Sequence, residues 1–189
     1  VTGIETKDAN WVVKVWKNKE ELYTLADNGI PSSIVVHNGD VYVAGLELEN
    51  KNFVAKVWRN SKELFALTSN SGNANSVFVV GEDVYTAGWE YNGTHNVAKV
   101  WKNGKELYDL TDGSKSGEAN SLFVADDKVY TAGYDGTVAK LWKNKSATDL
   151  TDGSKGANAN SVFVAGSNVY TAGYDGFVVK VWKKGSEHL

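Results

Sequence analysis

The chain of 189 residues contains no cysteine, which excludes disulfide bonds and thiolate chemistry. It also lacks an excess of basic charge, because 20 basic and 23 acidic residues give a net charge of -3. Proteins that bind nucleic acid through phosphates usually present a basic face, so nucleic acid is not an expected partner. No apolar run approaches the roughly 20 residues that cross a bilayer, so no membrane span is expected.

The sequence has no stretch of ten residues with the 3.6-residue period of an amphipathic helix, and β-branched and aromatic residues fill its apolar runs. This pattern predicts an all-β fold. An aliphatic residue followed by tryptophan recurs at steps of 42, 43, 41 and 40 residues. The five pairs are Val15-Trp16, Val57-Trp58, Val100-Trp101, Leu141-Trp142 and Val181-Trp182. Such a regular spacing indicates internal duplication.

A second motif, Val-Tyr-(Val/Thr)-Ala-Gly, keeps the same spacing and begins at residues 41, 84, 129 and 169. Each unit is predicted to hold four short strands, which in one typical unit are Ser76–Val80, Val84–Gly88, Val97–Trp101 and Glu106–Leu110. The first segment is continuously apolar and is expected to be the innermost strand. Asp-Gly at residues 135–136 and 175–176 predicts tight hairpins between the second and third strands.

Four antiparallel strands in each repeat of this length predict the blade of a β-propeller. A β-sandwich is not expected to repeat its own sequence at this period, whereas equivalent blades must, since each meets the same kind of neighbour. We expect one domain, 1–189, with repeat units at about 1–36, 37–80, 81–124, 125–164 and 165–189, the last partial. Alignment of Gly3 with Gly88 places the beginning of the chain inside a second strand, and Glu187–Leu189 would open a fourth strand. The prediction is a five-bladed ring to which this chain supplies about four and a half blades, with open edges that favour a homo-oligomer.

The segment from Val129 to Trp142 resembles the middle of a WD40 blade, where an Asp-Gly hairpin leads into an aliphatic-Trp pair. That resemblance implies a protein-interaction scaffold. The phrases Lys102-Asn103-Gly104 and Leu110-Thr111-Asp112-Gly113 look similar to uncharacterised repeat proteins of bacterial envelopes. This second resemblance implies a secreted or cell-envelope location, although residues 1–10 lack the features of a signal peptide.

Two repeated features could form sites but have simpler interpretations. One lysine precedes each tryptophan by two residues, at positions 14, 56, 99, 140 and 180. A ring of ammonium groups could hold an anion, yet we favour lysine stems that cover the indoles while the amines stay solvated. The tryptophans themselves are expected to pack between blades. Asp112-Gly113-Ser114-Lys115 and Asp152-Gly153-Ser154-Lys155 supply one carboxylate each, which favours a turn over a cation loop.

The preferred candidate site lies on the face where connections between blades meet the loops from second to third strands. Three asparagines are expected just before inner strands, and three aromatic residues in those loops just after the Ala-Gly pairs. These residues are Asn75, Asn120 and Asn160, with Trp89, Tyr134 and Tyr174. Aromatic faces beside amides suit a sugar ring. The alternative is that Asn bonds to the backbone at turns and that the aromatic rings cap hairpins.

We therefore expect a binding propeller that recognises a ligand, carbohydrate being one class, and is not an enzyme. The alternative function is a protein-interaction scaffold or a self-assembling repeat propeller, recently duplicated or designed, because later units are more alike. A weaker third possibility is an enzyme that uses the channel mouth. No catalytic residues, metal ligands or cofactors are predicted, since the three histidines occupy unlike repeat positions.

Overall fold

The structure is a computed structural model that describes residues 1–7 and 10–187. It contains nineteen strands in five sheets within this part of the chain. Sheet 1 consists of β1 (Thr2–Lys7), β2 (Asn10–Lys17) and β3 (Glu20–Ala26). Sheet 2 consists of β4 (Gly29–His37), β5 (Asp40–Glu49), β6 (Asn52–Arg59) and β7 (Lys62–Ala66). The described residues include no helix that could cross a membrane.

The remaining three sheets repeat the four-stranded pattern. Sheet 3 consists of β8 (Gly72–Val80), β9 (Asp83–Tyr91), β10 (Asn96–Lys102) and β11 (Lys105–Asp109). Sheet 4 consists of β12 (Gly117–Ala125), β13 (Lys128–Asp135), β14 (Val138–Lys143) and β15 (Ser146–Asp149). Sheet 5 consists of β16 (Ala157–Ala165), β17 (Asn168–Asp175), β18 (Val178–Lys183) and β19 (Ser186–Glu187).

Every sheet is an antiparallel meander whose strands follow chain order. Each sheet packs on the next one along the chain, and the first strands of consecutive sheets contact one another, as β8 does with β4 and β12. This arrangement confirms the all-β, five-bladed propeller prediction. Sheet 1 has three strands, which agrees with the expected entry through a second strand. Of the predicted final strand, Glu187 lies in β19, whereas His188 and Leu189 lie outside the described residues.

The core is divided into seams between neighbouring sheets. In the seam between sheets 4 and 5, Ala132, Ala139 and Leu141 of sheet 4 pack with Val162 and Trp182 of sheet 5. Trp58, Trp101, Trp142 and Trp182 are all at most 2% exposed. Trp182 thus packs against the preceding sheet, and Trp58 packs in the same way against Val13 and Val15 of sheet 1.

A β-bulge explains the repeated Ala-Gly pair. The pairing of β12 with β13 shifts between Ala119 and Ser121, and equivalent shifts occur in β4, β8 and β16. The bulge brings the carbonyl oxygen of Glu118 to 1.9 Å from the position that a Cβ atom would take on Gly133. Only glycine fits opposite the bulge, so the motif is a steric requirement of the sheet.

The tight hairpins form one residue later than the Asp-Gly motif predicts. The turn residues are Gly136-Thr137 and Gly176-Phe177, while Asp135 and Asp175 end their strands. Gly136 and Gly176 have φ of 62° and 60°, and the aspartates are not among the residues with positive φ. Positive φ at the first central residue alone fits a type II′ turn, which needs glycine there.

Candidate functional site

The three predicted asparagines lie inside inner strands, at the bulge, and not in the connections before them. The side chains of Asn75 and Asn120 join neighbouring sheets. The Asn75 amide donates a 3.0 Å hydrogen bond to the carbonyl oxygen of Ala119 in the next sheet, and Asn120 makes the same 3.0 Å bond to Ala159. Asn160 of sheet 5 occupies the equivalent position and is exposed. The bonds of Asn75 and Asn120 favour the structural interpretation for those two residues.

The three predicted aromatic residues also lie in strands and not in loops, because the second strands extend past the Ala-Gly pair. Trp89 pairs with Ala98, Tyr134 with Ala139, and Tyr174 with Val179. Directly opposed residues of antiparallel strands point to the same side of a sheet. Ala139 is fully buried against sheet 5, so Tyr134 lies on the side of sheet 4 that meets sheet 5.

Two of the six predicted residues come together at a depression of about 350 Å³ where sheets 4 and 5 meet. Tyr134 and Tyr174 line it together with Glu118, Asn158 and backbone around Gly156. Tyr174 is 39% exposed, so part of its ring is free for contact. Trp89, Asn75, Asn120 and Asn160 are not among the residues lining this depression.

The polar groups of the depression are held in place by hydrogen bonds. Burial raises the pKa of the Tyr134 phenol, and the adjacent Glu118 carboxylate raises it further, so the phenol stays protonated at neutral pH. The Glu118 carboxylate also accepts a 3.0 Å hydrogen bond from the Asn96 side-chain amide. The side-chain oxygen of Asn158 accepts a 2.6 Å hydrogen bond from the Asn120 side-chain amide. A carboxylate, a phenol and an amide thus surround a partly exposed aromatic ring.

Sequence reasoning missed Glu118 and Asn158, although the repeat contains the signal for them. Each stands two residues before the bulge asparagine and pairs directly with the aromatic residue of the next strand, Glu118 with Tyr134 and Asn158 with Tyr174. Predicting these pairs needs the strand register, and the bulge shifts that register by one residue. A simple count back from the hairpin therefore misplaces them.

The repeated lysines do not form an anion site, and the expectation that their amines stay solvated is wrong. The lysine of each sheet makes an ion pair with an acidic residue of the outer strand, as Lys14 does with Glu21 and Lys180 with Glu187. In sheet 2 the Lys56 ammonium, only 2% exposed, binds Glu47, Glu49 and Glu63. Burial alone would lower the pKa of Lys56, but these three carboxylates outweigh it and raise the pKa. The three carboxylates lie close enough to suggest a metal site, but an ammonium group already occupies their centre.

The Asp-Gly-Ser-Lys segments are turns, as favoured from the sequence. Asp112 accepts hydrogen bonds of 2.9 Å and 2.6 Å from the backbone amide and hydroxyl of Ser114, and Asp152 accepts the same pair from Ser154. The hydroxyl bond and then the amide bond lower the pKa of each carboxyl group. These aspartates hold their own turn closed in the manner of an Asx turn.

Comparison with known proteins identifies the fold and no family. No family model matches the chain, and no curated protein matches it. Among solved structures, the β-propeller domain of the Trilobed protease from Pyrococcus furiosus is similar, with a TM-score of 0.55 and 14% identity over 99% of this chain and 61% of that one. The computationally designed Ika8 protein has a TM-score of 0.54 and 22% identity over 96% of this chain and 57% of that one.

The designed Ika4 protein is also similar, with a TM-score of 0.51 and 20% identity over 86% of this chain and 97% of that one. The chain thus spans less than two thirds of the length of the Pyrococcus domain and of Ika8. At these identities the likeness concerns the fold alone, and it agrees with the propeller of equivalent sheets described above.

Proposed function

We propose that this chain is a non-enzymatic binding propeller whose depression between sheets 4 and 5 takes a neutral, hydroxyl-rich ligand of the carbohydrate class. The observation that supports this proposal is the meeting of Tyr134 and Tyr174 with Glu118 and Asn158 around one opening. Sugars bind through C–H contacts on an aromatic face together with hydrogen bonds from hydroxyls to carboxylates and amides. The depression offers both kinds of contact.

The non-enzymatic part of the proposal is supported by the roles of the charged groups. Among the described residues, the one cluster of three acids capable of holding a metal already binds the Lys56 ammonium. The aspartates at residues 112 and 152 are bonded to their own turns. These charged side chains therefore stabilise the fold. We infer that the depression serves ligand recognition and not catalysis.

A glycan-array screen followed by titration calorimetry tests the proposal. Wild-type protein should bind at least one glycan, and Tyr174→Ala and Glu118→Gln should each weaken that binding about tenfold, the loss expected for one stacking or charge-assisted contact. Trp89→Ala is the matched control, since Trp89 holds the equivalent position in sheet 3 outside the depression. Absence of glycan binding, or equal weakening by Trp89→Ala and Tyr174→Ala, would disprove the proposed site.

A second candidate function, self-assembly or a protein scaffold, is favoured by a different observation. Sheet 5 leaves the side that should meet a following sheet uncovered, with Val179 81% exposed and Phe163 57% exposed.

A further inference from the structure

The uncovered side of sheet 5 carries apolar residues at the repeat positions that are buried inside the molecule in the other sheets. The position three residues before the repeated tryptophan is fully buried in the first four sheets, as Val13, Ala55, Ala98 and Ala139. Its equivalent in sheet 5 is Val179, which is 81% exposed. A residue type suited to a seam is thus presented to solvent.

The neighbours of Val179 show the same contrast. Ala44, Ala87 and Ala132 are fully buried, whereas the equivalent Ala172 is exposed. The ring centroids of Phe78 and Phe123 lie 4.9 Å apart, and those of Phe123 and Phe163 lie 5.1 Å apart. Phe163 is therefore the last ring of this row, and one side of it contacts no further ring of the row. We call the surface formed by Ala172, Val179, Val181 and Phe163 the sheet-5 flank.

Sheet 1, at the other end of the row of sheets, carries a surface that complements the sheet-5 flank. Trp58, Trp101, Trp142 and Trp182 are buried, and Trp58 and Trp182 pack on the sheet that precedes each of them. Among the described residues, no sheet covers Trp16 of sheet 1 in this way, and Trp16 is only partly buried. The seam between sheets 4 and 5 shows what such a tryptophan contacts, because Trp182 packs with Ala132, Ala139 and Leu141. The sheet-5 flank offers the equivalents of those three residues, namely Ala172, Val179 and Val181.

We propose that the sheet-5 flank binds the Trp16 side of sheet 1 from a second copy of this chain, in a head-to-tail contact. The strongest reason is that the contact continues an interface that the molecule already makes four times, between each sheet and the next. Among the described residues, no extensive contact joins sheet 5 to sheet 1 of the same chain, so both surfaces are available. Because the two surfaces differ, the contact is heterologous, and the assembly as a whole keeps one free surface of each kind unless a ring closes.

Sedimentation velocity over a range of protein concentrations tests the proposal. Wild-type protein should associate. Val179→Lys should raise the dissociation constant at least about tenfold, because burying an unpaired ammonium group in the contact costs free energy. Val178→Lys is the matched control, since this neighbouring valine on the opposite side of β18 is 53% exposed and lies off the flank. Trp16→Glu should weaken association as Val179→Lys does.

Mixing the two defective variants distinguishes a head-to-tail contact from a symmetric one. Each variant keeps one intact surface, so Val179→Lys with Trp16→Glu should form a 1:1 dimer that neither forms alone. An excess of Val179→Lys should also cap wild-type assemblies, a readout that does not depend on Trp16→Glu folding. Wild-type protein that stays monomeric at every concentration, Val178→Lys as damaging as Val179→Lys, or a Val179→Lys variant that never enters complexes with wild type would overturn the proposal.

Discussion

At the residue scale, the repeated lysine shows that one repeat position can contribute differently to the free energy of unfolding in different sheets. Lys56 binds three carboxylates and is almost fully buried, whereas Lys140 pairs with Asp149 at 2.7 Å and more distantly with Asp135 at 3.9 Å. Removal of a buried charge leaves its partners unpaired and costs more than loss of an exposed pair. The two lysines are therefore natural test and control.

We expect Lys56→Met to lower the free energy of unfolding by about 1–3 kcal/mol at pH 7, because three carboxylates are left close together and two of them keep contact with water. Lys140→Met should cost less than about 1 kcal/mol, as is usual for a partly exposed pair. Urea unfolding monitored by tryptophan fluorescence measures both. Equal losses in the two variants would contradict the role given to Lys56.

The pH dependence of this cluster follows from the direction of the pKa shift. Since folding raises the pKa of Lys56 above 10.5, its stabilisation is fully present below pH 10.5 and is lost only as the pH rises through the folded value. In Lys56→Met this contribution is absent at every pH, because no ammonium group is left to lose its proton. Unfolding of both proteins at pH 7, 9 and 11 should therefore show a loss that is the same at the first two values and smaller at the third. A loss that does not depend on pH would indicate lost packing alone.

At the scale of the strand, the asparagine at the bulge links neighbouring sheets through side-chain hydrogen bonds. Asn120 donates to the Asn158 side chain and to the Ala159 carbonyl, so both of its bonds cross the seam between sheets 4 and 5. The serine that follows makes a parallel tie, since the Ser121 hydroxyl accepts a 3.2 Å bond from the Val162 amide. Ser33 and Ser76 accept equivalent 3.2 Å bonds from Val77 and Leu122.

We expect Asn120→Ala to cost about 1–2 kcal/mol of unfolding free energy, because the buried Ala159 carbonyl loses its partner across the seam. Asn160→Ala is the control at the same repeat position, and it should change stability by less than about 0.5 kcal/mol in the monomer because Asn160 is exposed. Chemical denaturation at low protein concentration measures the difference. A large effect of Asn160→Ala under those conditions would show that a further sheet already covers sheet 5.

Much of the strand arrangement could be predicted from the sequence. The number of strands, the inner position of Ser76–Val80 and the burial of the repeated tryptophans follow from the repeat and its apolar segments. The ends of strands could not be predicted as well. Strand pairing continues beyond the bulge, so Asn75 and Trp89 lie in strands β8 and β9 and not in the expected connections. The ion pairs of the lysines were missed as well, although Lys14 and Glu21, like Lys56 and Glu63, are seven residues apart in the repeat.

At the scale of the whole molecule, stability is a sum over seams, because within residues 1–7 and 10–187 each sheet contacts its neighbours in the chain and little else. Equivalent residues are therefore buried or exposed according to whether another sheet follows. This principle could be derived from the repeat, but the sequence could not show which end surfaces stay uncovered. Ring closure depends on small rotations between sheets, and identical local patterns permit several values of that rotation.

Thiol accessibility at one repeat position tests this account most directly, and the absence of natural cysteine makes the measurement clean. Single variants Ala98→Cys, Ala139→Cys and Val179→Cys place a thiol at equivalent points of sheets 3, 4 and 5. In dilute native protein, the thiol at residue 179 should react with a disulfide reagent at least about a hundredfold faster than the thiols at residues 98 and 139, which seams protect. Three equally fast thiols would show that the sheets do not pack as seams, and three equally slow thiols would show that sheet 5 is covered.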